Sequence, residues 1–239
     1  MLNFAGHLIL SLHQDISVEI SRSEDNSGDR TIMLLQEIIN TLIQLIMAFV
    51  IAGLAYALAG KSRGRFAEYI GLIRPTGASV KLAALAALVL VPVSLALFYF
   101  TPLKAISTAE NTVTGALRNH GFGGEAVLLI VIVALIKTSF TEEIIFRGVV
   151  AKRLIRWWGL GIGNTVHATL FAGVHLVIFV APGGPAFNPV LALAILVITG
   201  TGAWVQAWLN ERRGNGSIGP GWLIHAATNL ISYPILAYL

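Results

Sequence analysis

Three ionisable residues stand close together within an apolar run of the sequence. Glu142, Glu143 and Arg147 lie in the stretch TEEIIFRG. On a helix, Glu143 and Arg147 are four positions apart and can form a salt bridge, whereas the side chain of Glu142 points about 100° away from that pair. Glu142 is therefore the carboxylate left free to take a proton from water as a general base. The Glu143–Arg147 pair is explained more simply as a structural contact, because pairing lowers the cost of burying both charges.

Two further pairs of residues with the same four-residue spacing follow along the chain, and each contains a histidine. Phe171 and His175 fall on one helix face, and His225 and Asn229 fall on another. Taken one at a time, the histidines are explained as packing residues and the asparagine as a hydrogen-bonding contact between helices. Together with the free carboxylate of Glu142, these polar groups form a set suited to general-base hydrolysis.

The elements that carry these residues are predicted to be membrane helices. Of the 239 residues, 56% are hydrophobic and only 12% are charged, and the mean hydropathy of +0.77 lies well outside the balance of a soluble domain. Six apolar runs are long enough to cross the hydrocarbon core of a bilayer. They lie near residues 39–60, 82–100, 126–150, 164–182, 189–210 and 218–238. We predict an all-α, polytopic membrane helix bundle of about six transmembrane helices around a polar intramembrane cavity.

The depths of the polar residues in their helices indicate a common layer. At about 1.5 Å per residue, Glu142 lies roughly 12 Å from the end of its helix, and His225 and Asn229 lie at roughly 10 and 16 Å. His175 reaches about 16 Å only if its helix begins late, with GLGIG as a turn and Asn164 as the N-cap. The four residues are then predicted to share one layer in the cytoplasmic half of the membrane.

The basic residues predict the orientation of the chain. Ten of the sixteen Lys and Arg residues lie in three connections that alternate along the chain. These connections cover residues 61–81, 152–156 and 212–213. By the positive-inside rule the three connections are cytoplasmic and both termini lie outside. Because the basic residues form no stripe or tail, we expect no nucleic acid as a partner. The six apolar runs instead predict a multi-pass membrane protein, which we place in the plasma membrane of a prokaryote.

The chain is predicted to divide into a short arm and one membrane domain. Residues 1–38 are expected to be a polar, partly disordered N-terminal arm, because SRSEDNSGDR is rich in charged and small polar residues. Residues 39–239 are expected to form a single membrane-embedded domain, whose partners are the lipid bilayer and a membrane-associated protein or peptide. The chain has no cysteine, which excludes disulfides and thiolate metal ligands.

Three motifs follow one another in order on separate predicted helices. They are Glu142-Glu143-x-x-x-Arg147, Phe171-x-x-x-His175 and His225-x-x-x-Asn229. In this order they resemble the motifs of the CPBP intramembrane proteases, the family of type II CAAX prenyl endopeptidases and of bacteriocin-processing or immunity (Abi-like) proteins. The resemblance covers about residues 66–239. It implies a protease domain in which Glu143 and Arg147 organise the helix of the first motif, with Phe171 as a further supporting residue.

The resemblance also implies roles for the other motif residues. Glu142 would polarise a water molecule, with His175 as its close partner, while His225 and Asn229 would hold the scissile carbonyl and stabilise the oxyanion. We therefore expect an intramembrane endopeptidase that hydrolyses a peptide bond of a membrane-associated protein or peptide, in CAAX-type or leader-peptide-type processing. The alternative is a non-catalytic membrane protein, either a proton-coupled transporter or an immunity scaffold, that uses the same buried polar residues.

The same residues leave a metal site open. The sequence has no HExxH motif, yet Glu142, His175 and His225 could supply the three protein ligands of one zinc ion, with water as the fourth. Asn229 can instead donate a hydrogen bond to an oxyanion, which would allow a glutamate base to work without a Lewis acid. We favour a glutamic endopeptidase with no cofactor over a metalloendopeptidase.

Overall fold

The structure is a computed structural model that describes residues 26–59, 64–109 and 111–239. The described residues form helices and their connections, with no β-strand among them. In chain order the α-helices are α1 (Asn26–Leu58), α2 (Phe66–Tyr69), α3 (Gly77–Phe100), α4 (Lys104–Ser107), α5 (Val113–His120), α6 (Gly124–Ile132), α7 (Lys152–Val174), α8 (Pro189–Arg212) and α9 (Gly219–Tyr238). Two π-helical segments, π1 (Val133–Phe140) and π2 (Glu143–Ala151), lie between α6 and α7, and a 3₁₀ helix (His175–Phe179) follows α7. The prediction of an all-α bundle is confirmed.

Within the described ranges, four helical regions are long and apolar enough to cross a membrane. They are Arg30–Leu58, Gly77–Phe100, Gly124–Phe179 and Pro189–Arg212. The expected count of six is corrected here, because the predicted third and fourth spans belong to one helical region of 56 residues. The predicted sixth span is α9, which is 20 residues long but carries His225, Asn229 and two prolines among its apolar residues. Half of α9 is buried by other helices, so it needs fewer apolar side chains to face lipid.

Large apolar side chains cover the outside of the bundle. Leu54 of α1 is 60% exposed, Leu88 of α3 is 71% exposed, and Leu193 of α8 is 62% exposed. A soluble protein rarely exposes continuous apolar surface of this kind, whereas a lipid environment favours it. The chain is therefore an integral membrane protein whose polar groups point inward.

The first helix begins earlier than predicted. It starts at Asn26, so residues 26–38 of the expected N-terminal arm are helical. The hydroxyl of Thr31 donates a hydrogen bond to Glu125 of α6 over 2.9 Å, which attaches the start of α1 to the bundle. Local polarity predicted an arm, but a contact between distant residues extends the helix. The rest of the predicted arm, residues 1–25, lies outside the described residues.

A kink at Gly159 divides α7 into two parts. Gly159 has φ 76° and ψ 167°, a conformation that residues with a Cβ atom rarely adopt. The helix resumes directly after this residue, so Asn164 lies inside it and the prediction of Asn164 as the N-cap is wrong. The buried side chain of Asn164 instead donates to the carbonyl of Trp204 on α8 over 2.9 Å. Its oxygen lies 3.2 Å from Nδ1 of His167.

The segment that carries the two adjacent carboxylates is wound more widely than an α-helix. π1 and π2 flank Glu142 on its two sides. In a wide turn, some backbone carbonyls lose the N–H partner that they would have four residues later in an α-helix. In a membrane, the protein itself must supply other hydrogen-bond donors to these carbonyls. Neighbouring helices supply them: Trp222 of α9 donates to the carbonyl of Leu135 over 2.9 Å, and Gln44 of α1 donates to the carbonyl of Lys137 over 2.9 Å.

The three basic connections meet at one end of the bundle. Nζ of Lys152 donates to Oε1 of Glu211 over 2.8 Å, which joins the start of α7 to the end of α8. The hydroxyl of Thr76 donates to the carbonyl of Arg213 over 2.9 Å, which joins the start of α3 to the same region. If the three basic connections are all cytoplasmic, they must lie at the same end of the bundle, as observed. The side itself, with both termini outside, stays a prediction.

Single cysteines introduced into the cysteine-free chain test this orientation. At the exposed positions Arg65 and Arg156, they should resist an impermeant thiol reagent that is applied outside intact cells. At the exposed positions Asn119 and Ala186, on connections predicted to lie outside, they should react. Labelling in permeabilised cells provides the control, since all four positions should then react. Protection of Asn119 and Ala186 with labelling of the other two would reverse the predicted orientation.

Candidate active site

Two carboxylates approach the same imidazole ring at its two nitrogens. Oε2 of Glu142 lies 3.8 Å from Nε2 of His225, and Oε1 of Glu143 lies 3.4 Å from Nδ1. The side chain of Glu143 is 0% exposed, whereas that of Glu142 is 13% exposed. Gly221 permits this approach of α9, since a Cβ atom there would lie 2.8 Å from Oε2 of Glu143. The two carboxylates therefore share one histidine but differ in their environment.

Arg147 neutralises the more deeply buried carboxylate. Its Nη1 lies 3.2 Å from Oε1 of Glu143, close enough for an ion pair although not aligned as a hydrogen bond. Its Nη2 donates to Oε1 of Gln206 on α8. The guanidinium carbon also lies 4.2 Å from the ring centroid of Phe171, a cation–π contact. The predicted salt bridge is confirmed, and its partners on other helices compensate for the loss of water around both charges.

The second imidazole stands at the end of α7. Nδ1 of His175 lies 2.7 Å from the carbonyl oxygen of Phe171. Because a carbonyl can only accept, Nδ1 carries the proton, and Nε2 of the neutral ring is left as the acceptor. Nε2 is buried and has no hydrogen-bond partner. The Phe171 ring lies 4.7 Å from the His175 ring and 6.4 Å from the His225 ring, so its aromatic side chain contacts both imidazoles.

Asn229 binds α9 to π1. Its Nδ2 donates to Oγ1 of Thr138 over 3.0 Å and to Oγ of Ser139 over 3.1 Å. The hydroxyl of Tyr233, one turn further along α9, lies 3.3 Å from Oγ1 of Thr138. The asparagine is 2% exposed, so these hydroxyls satisfy a side chain that water barely reaches.

A cavity of about 300 Å³ borders this polar group. Its polar wall contains Arg147, His175, Gln206, His225 and Asn229, and the ring of Phe171 lies among them. Much of the remaining wall consists of apolar side chains from α3 and α8, among them Leu90, Val93, Leu97, Phe98, Ile195 and Ile198. Glu142 is not part of the wall and approaches the cavity through its contact with His225. The cavity expected to be polar is thus lined by both polar and apolar side chains.

The structure connects six of the predicted site residues through direct contacts. In order of contact they are Glu142, His225, Glu143, Arg147, Phe171 and His175. Asn229 shares the cavity wall with four of these residues, namely Arg147, Phe171, His175 and His225. Glu142 and His175 do not share a hydrogen bond, so their predicted partnership across a water molecule stays a prediction.

One residue of the site escaped the sequence reasoning. Oε1 of Gln206 accepts a hydrogen bond from Arg147, and the side chain lines the cavity. Because Gln206 is uncharged, a prediction based mainly on ionisable residues does not include it. Its signal in the sequence is an amide within the otherwise apolar stretch AWVQAWL. A polar side chain of α8 therefore joins the residues of the three motifs in the site.

A zinc site requires at least three ligands that converge on one point. Among residues 26–59, 64–109 and 111–239, no group of three or more His, Cys, Asp or Glu residues is arranged to hold a metal ion. Glu142 and His225 approach each other, but together with His175 they do not form such a group.

Comparison with known proteins identifies a family. A family model described as Type II CAAX prenyl endopeptidase Rce1-like matches residues 124–231, a region that contains all three motifs. No curated protein and no solved structure matches the chain. At the level of the family, the match supports an intramembrane endopeptidase of the CAAX type. The chain thus carries, over residues 124–231, a domain of the Rce1-like type II CAAX prenyl endopeptidase family, in agreement with the resemblance of its motifs to the CPBP proteases.

Proposed function

We propose that this chain hydrolyses a peptide bond of a membrane-associated protein or peptide with a water molecule activated by Glu142. The observation that carries the proposal is the unequal environment of the two adjacent carboxylates. Glu143 is paired with Arg147, whereas Oε2 of Glu142 is buried without a hydrogen-bond partner and lies near an imidazole. A buried carboxylate that has no arginine partner of its own and lies near an imidazole is suited to accept a proton.

The chemical step follows from this arrangement. Glu142 takes a proton from water as the water oxygen attacks the scissile carbonyl carbon, and the carbonyl oxygen becomes an oxyanion. The proton then passes from Glu142 to the leaving nitrogen as the carbon–nitrogen bond breaks. Nε2 of His175 is an unpartnered acceptor in the cavity wall, so it can orient the attacking water by accepting its second hydrogen.

The oxyanion needs hydrogen-bond donors, for which we propose His225 and Asn229. Both lie in the cavity wall. The two amide hydrogens of Asn229 are directed to Thr138 and Ser139, but a half-turn of the amide exchanges its nitrogen and oxygen. After the exchange, Oγ of Ser139 can donate to the amide oxygen, while Oγ1 of Thr138 continues to donate to the carbonyl of Val133 and to accept from the hydroxyl of Tyr233. The exchanged amide then offers Nδ2 to an oxyanion without leaving a hydroxyl unsatisfied.

The amphipathic cavity supports a substrate with two different parts. Its many apolar lining side chains suit an apolar side chain or a lipid chain, while its polar wall suits the peptide backbone. Both CAAX-type and leader-peptide-type substrates contain such a combination, and both remain within the proposal. The lipid bilayer is the proposed environment in which the substrate meets the cavity.

Glu142→Gln tests the proposed base. The substitution keeps the size of the side chain and removes its basicity, so we expect kcat to fall by about 100-fold or more while the protein stays folded in detergent. The assay uses a fluorogenic farnesylated CAAX peptide and a panel of membrane-anchored leader peptides. Glu68→Gln, at an exposed position on α2, is the matched control and should retain the wild-type rate. Near-normal turnover by Glu142→Gln would show that another group is the base, and no cleavage by the wild type would favour a transporter or an immunity scaffold.

Glu143→Gln separates the structural carboxylate from the catalytic one. Removing this charge leaves Arg147 buried without its intrahelical partner, and breaking such a pair typically costs about 3–5 kcal/mol. We expect a clear drop in the midpoint of thermal unfolding in detergent, larger than the drop for Glu142→Gln. Equal midpoints for the two variants would contradict the assigned division of roles.

Metal analysis tests the proposal that the reaction proceeds without a cofactor. We expect purified, active protein to contain no stoichiometric zinc and to keep its activity after treatment with a chelator. Zinc bound one to one, whose removal stops cleavage and whose return restores it, would make Glu142, His175 and His225 ligands instead.

A further inference from the structure

The backbone immediately before Glu142 departs from α-helical geometry. The backbone N–H of Thr141 donates to the carbonyls of Ile136 and Thr138, in place of the carbonyl of Lys137 four residues back. The carbonyl of Lys137 is instead approached by the hydroxyl of Thr141. The direction of the Glu142 side chain depends on this turn, because Glu142 is the next residue along the chain.

A side chain from α1 completes this turn. Nε2 of Gln44 donates to the carbonyl of Lys137 over 2.9 Å and lies 3.2 Å from Oγ1 of Thr141. Gln44 is 8% exposed and Thr141 is 0% exposed, so water cannot easily replace these contacts. The side-chain amide of Gln44 therefore contacts both Lys137 and Thr141, the residues at the two ends of the wide turn.

A second contact attaches α1 to the same turn. Nζ of Lys137 forms an ion pair with Oε1 of Glu37, two helical turns before Gln44 on α1. The side chain of Lys137 is 6% exposed, and that of Glu37 is 21% exposed. Backbone and side chain of Lys137 are thus both bound by α1, although α1 lies outside the region that matches the family.

The amide of Gln44 is not explained by packing alone. Its Oε1 is buried and has no hydrogen-bond partner, which is unfavourable in an apolar environment. An apolar side chain of similar size would fill the same space without leaving this oxygen unsatisfied. What the amide adds is the pair of contacts to Lys137 and Thr141.

We propose that Gln44 is a positioning residue, which directs Glu142 toward the reacting water by holding the wide turn between Lys137 and Thr141. The proposal rests on the proposed function, since it concerns the same base. Gln44 itself does not touch the substrate. Its effect passes through the backbone turn to the next residue, and small displacements of a catalytic group cost large factors in rate.

Gln44→Met tests the proposal, because methionine keeps the length of the side chain and removes its donor. Gln36→Met is the matched control, since Gln36 lies on the same helix but is exposed. We expect Gln44→Met to lower kcat for a farnesylated CAAX peptide by about tenfold or more, with KM changed less than about twofold. Hydrogen exchange of the amides over residues 137–143 should become faster in Gln44→Met and stay unchanged in the control.

A second pair of variants keeps the test valid if Gln44→Met folds poorly. Thr141→Val removes the hydroxyl that Gln44 contacts, and Thr141→Ser retains it. We expect Thr141→Val to reduce kcat and Thr141→Ser to recover most of the lost rate. In the double variant Gln44→Met/Thr141→Val, the losses in kcat should be less than additive, because both changes break the same contact.

The outcomes separate this proposal from the proposed function. If the wild type cleaves the peptide but Gln44→Met has the wild-type kcat and the wild-type exchange over 137–143, the positioning role is wrong. A lower unfolding midpoint with unchanged kcat would make Gln44 a purely structural contact and would also overturn it. If the wild type cleaves no peptide, the proposed function fails. In that case, unchanged hydrogen exchange over residues 137–143 in Gln44→Met would show that Gln44 does not hold the turn either.

Discussion

A carboxylate without access to water determines the arrangement of the helices in this protein. Glu143 is completely buried in a membrane-spanning segment, where an unpaired charge would be very unfavourable. Its own helix supplies Arg147 as a partner, α9 supplies His225, and α8 supplies Gln206 to the arginine. Each of these groups is itself buried and needs its own contacts. The requirement to satisfy one charge therefore extends over three helices and fixes the distance between them.

The neighbouring carboxylate owes its proposed role to this arrangement. Because Arg147 lies against Glu143, Glu142 approaches the other ring nitrogen of His225 at 3.8 Å and keeps Oε2 without a hydrogen-bond partner. Two residues of the same type, adjacent in sequence, thus acquire different environments from the same set of neighbours. Phe171 adds a separate constraint, since its ring contacts Arg147 and both imidazoles and so limits how the polar wall can rearrange.

Local periodicity predicted much of this site, and contacts between distant residues account for what it missed. The four-residue spacing of Glu143 and Arg147 is visible in the sequence and gives the observed pair. The wide turns around Glu142 are not visible, because a periodicity of 3.6 residues per turn assumes uniform winding. The early start of α1 and the merged central helical region were missed because single polar or glycine-rich stretches were taken as breaks. Gln206 was overlooked because it is uncharged, although a buried amide needs partners as much as a charge does.

The partners of Glu143 are synthesised at different times. Glu143 and Arg147 leave the ribosome within one helical turn of each other and can pair as soon as that helix forms. His225, the other partner of Glu143, follows 82 residues later. At typical rates of about 5–20 residues per second, the pair waits for several seconds before α9 is made. During that interval the local ion pair lowers the cost of keeping both charges in the membrane, so a residue pair that supports the finished site also supports its insertion.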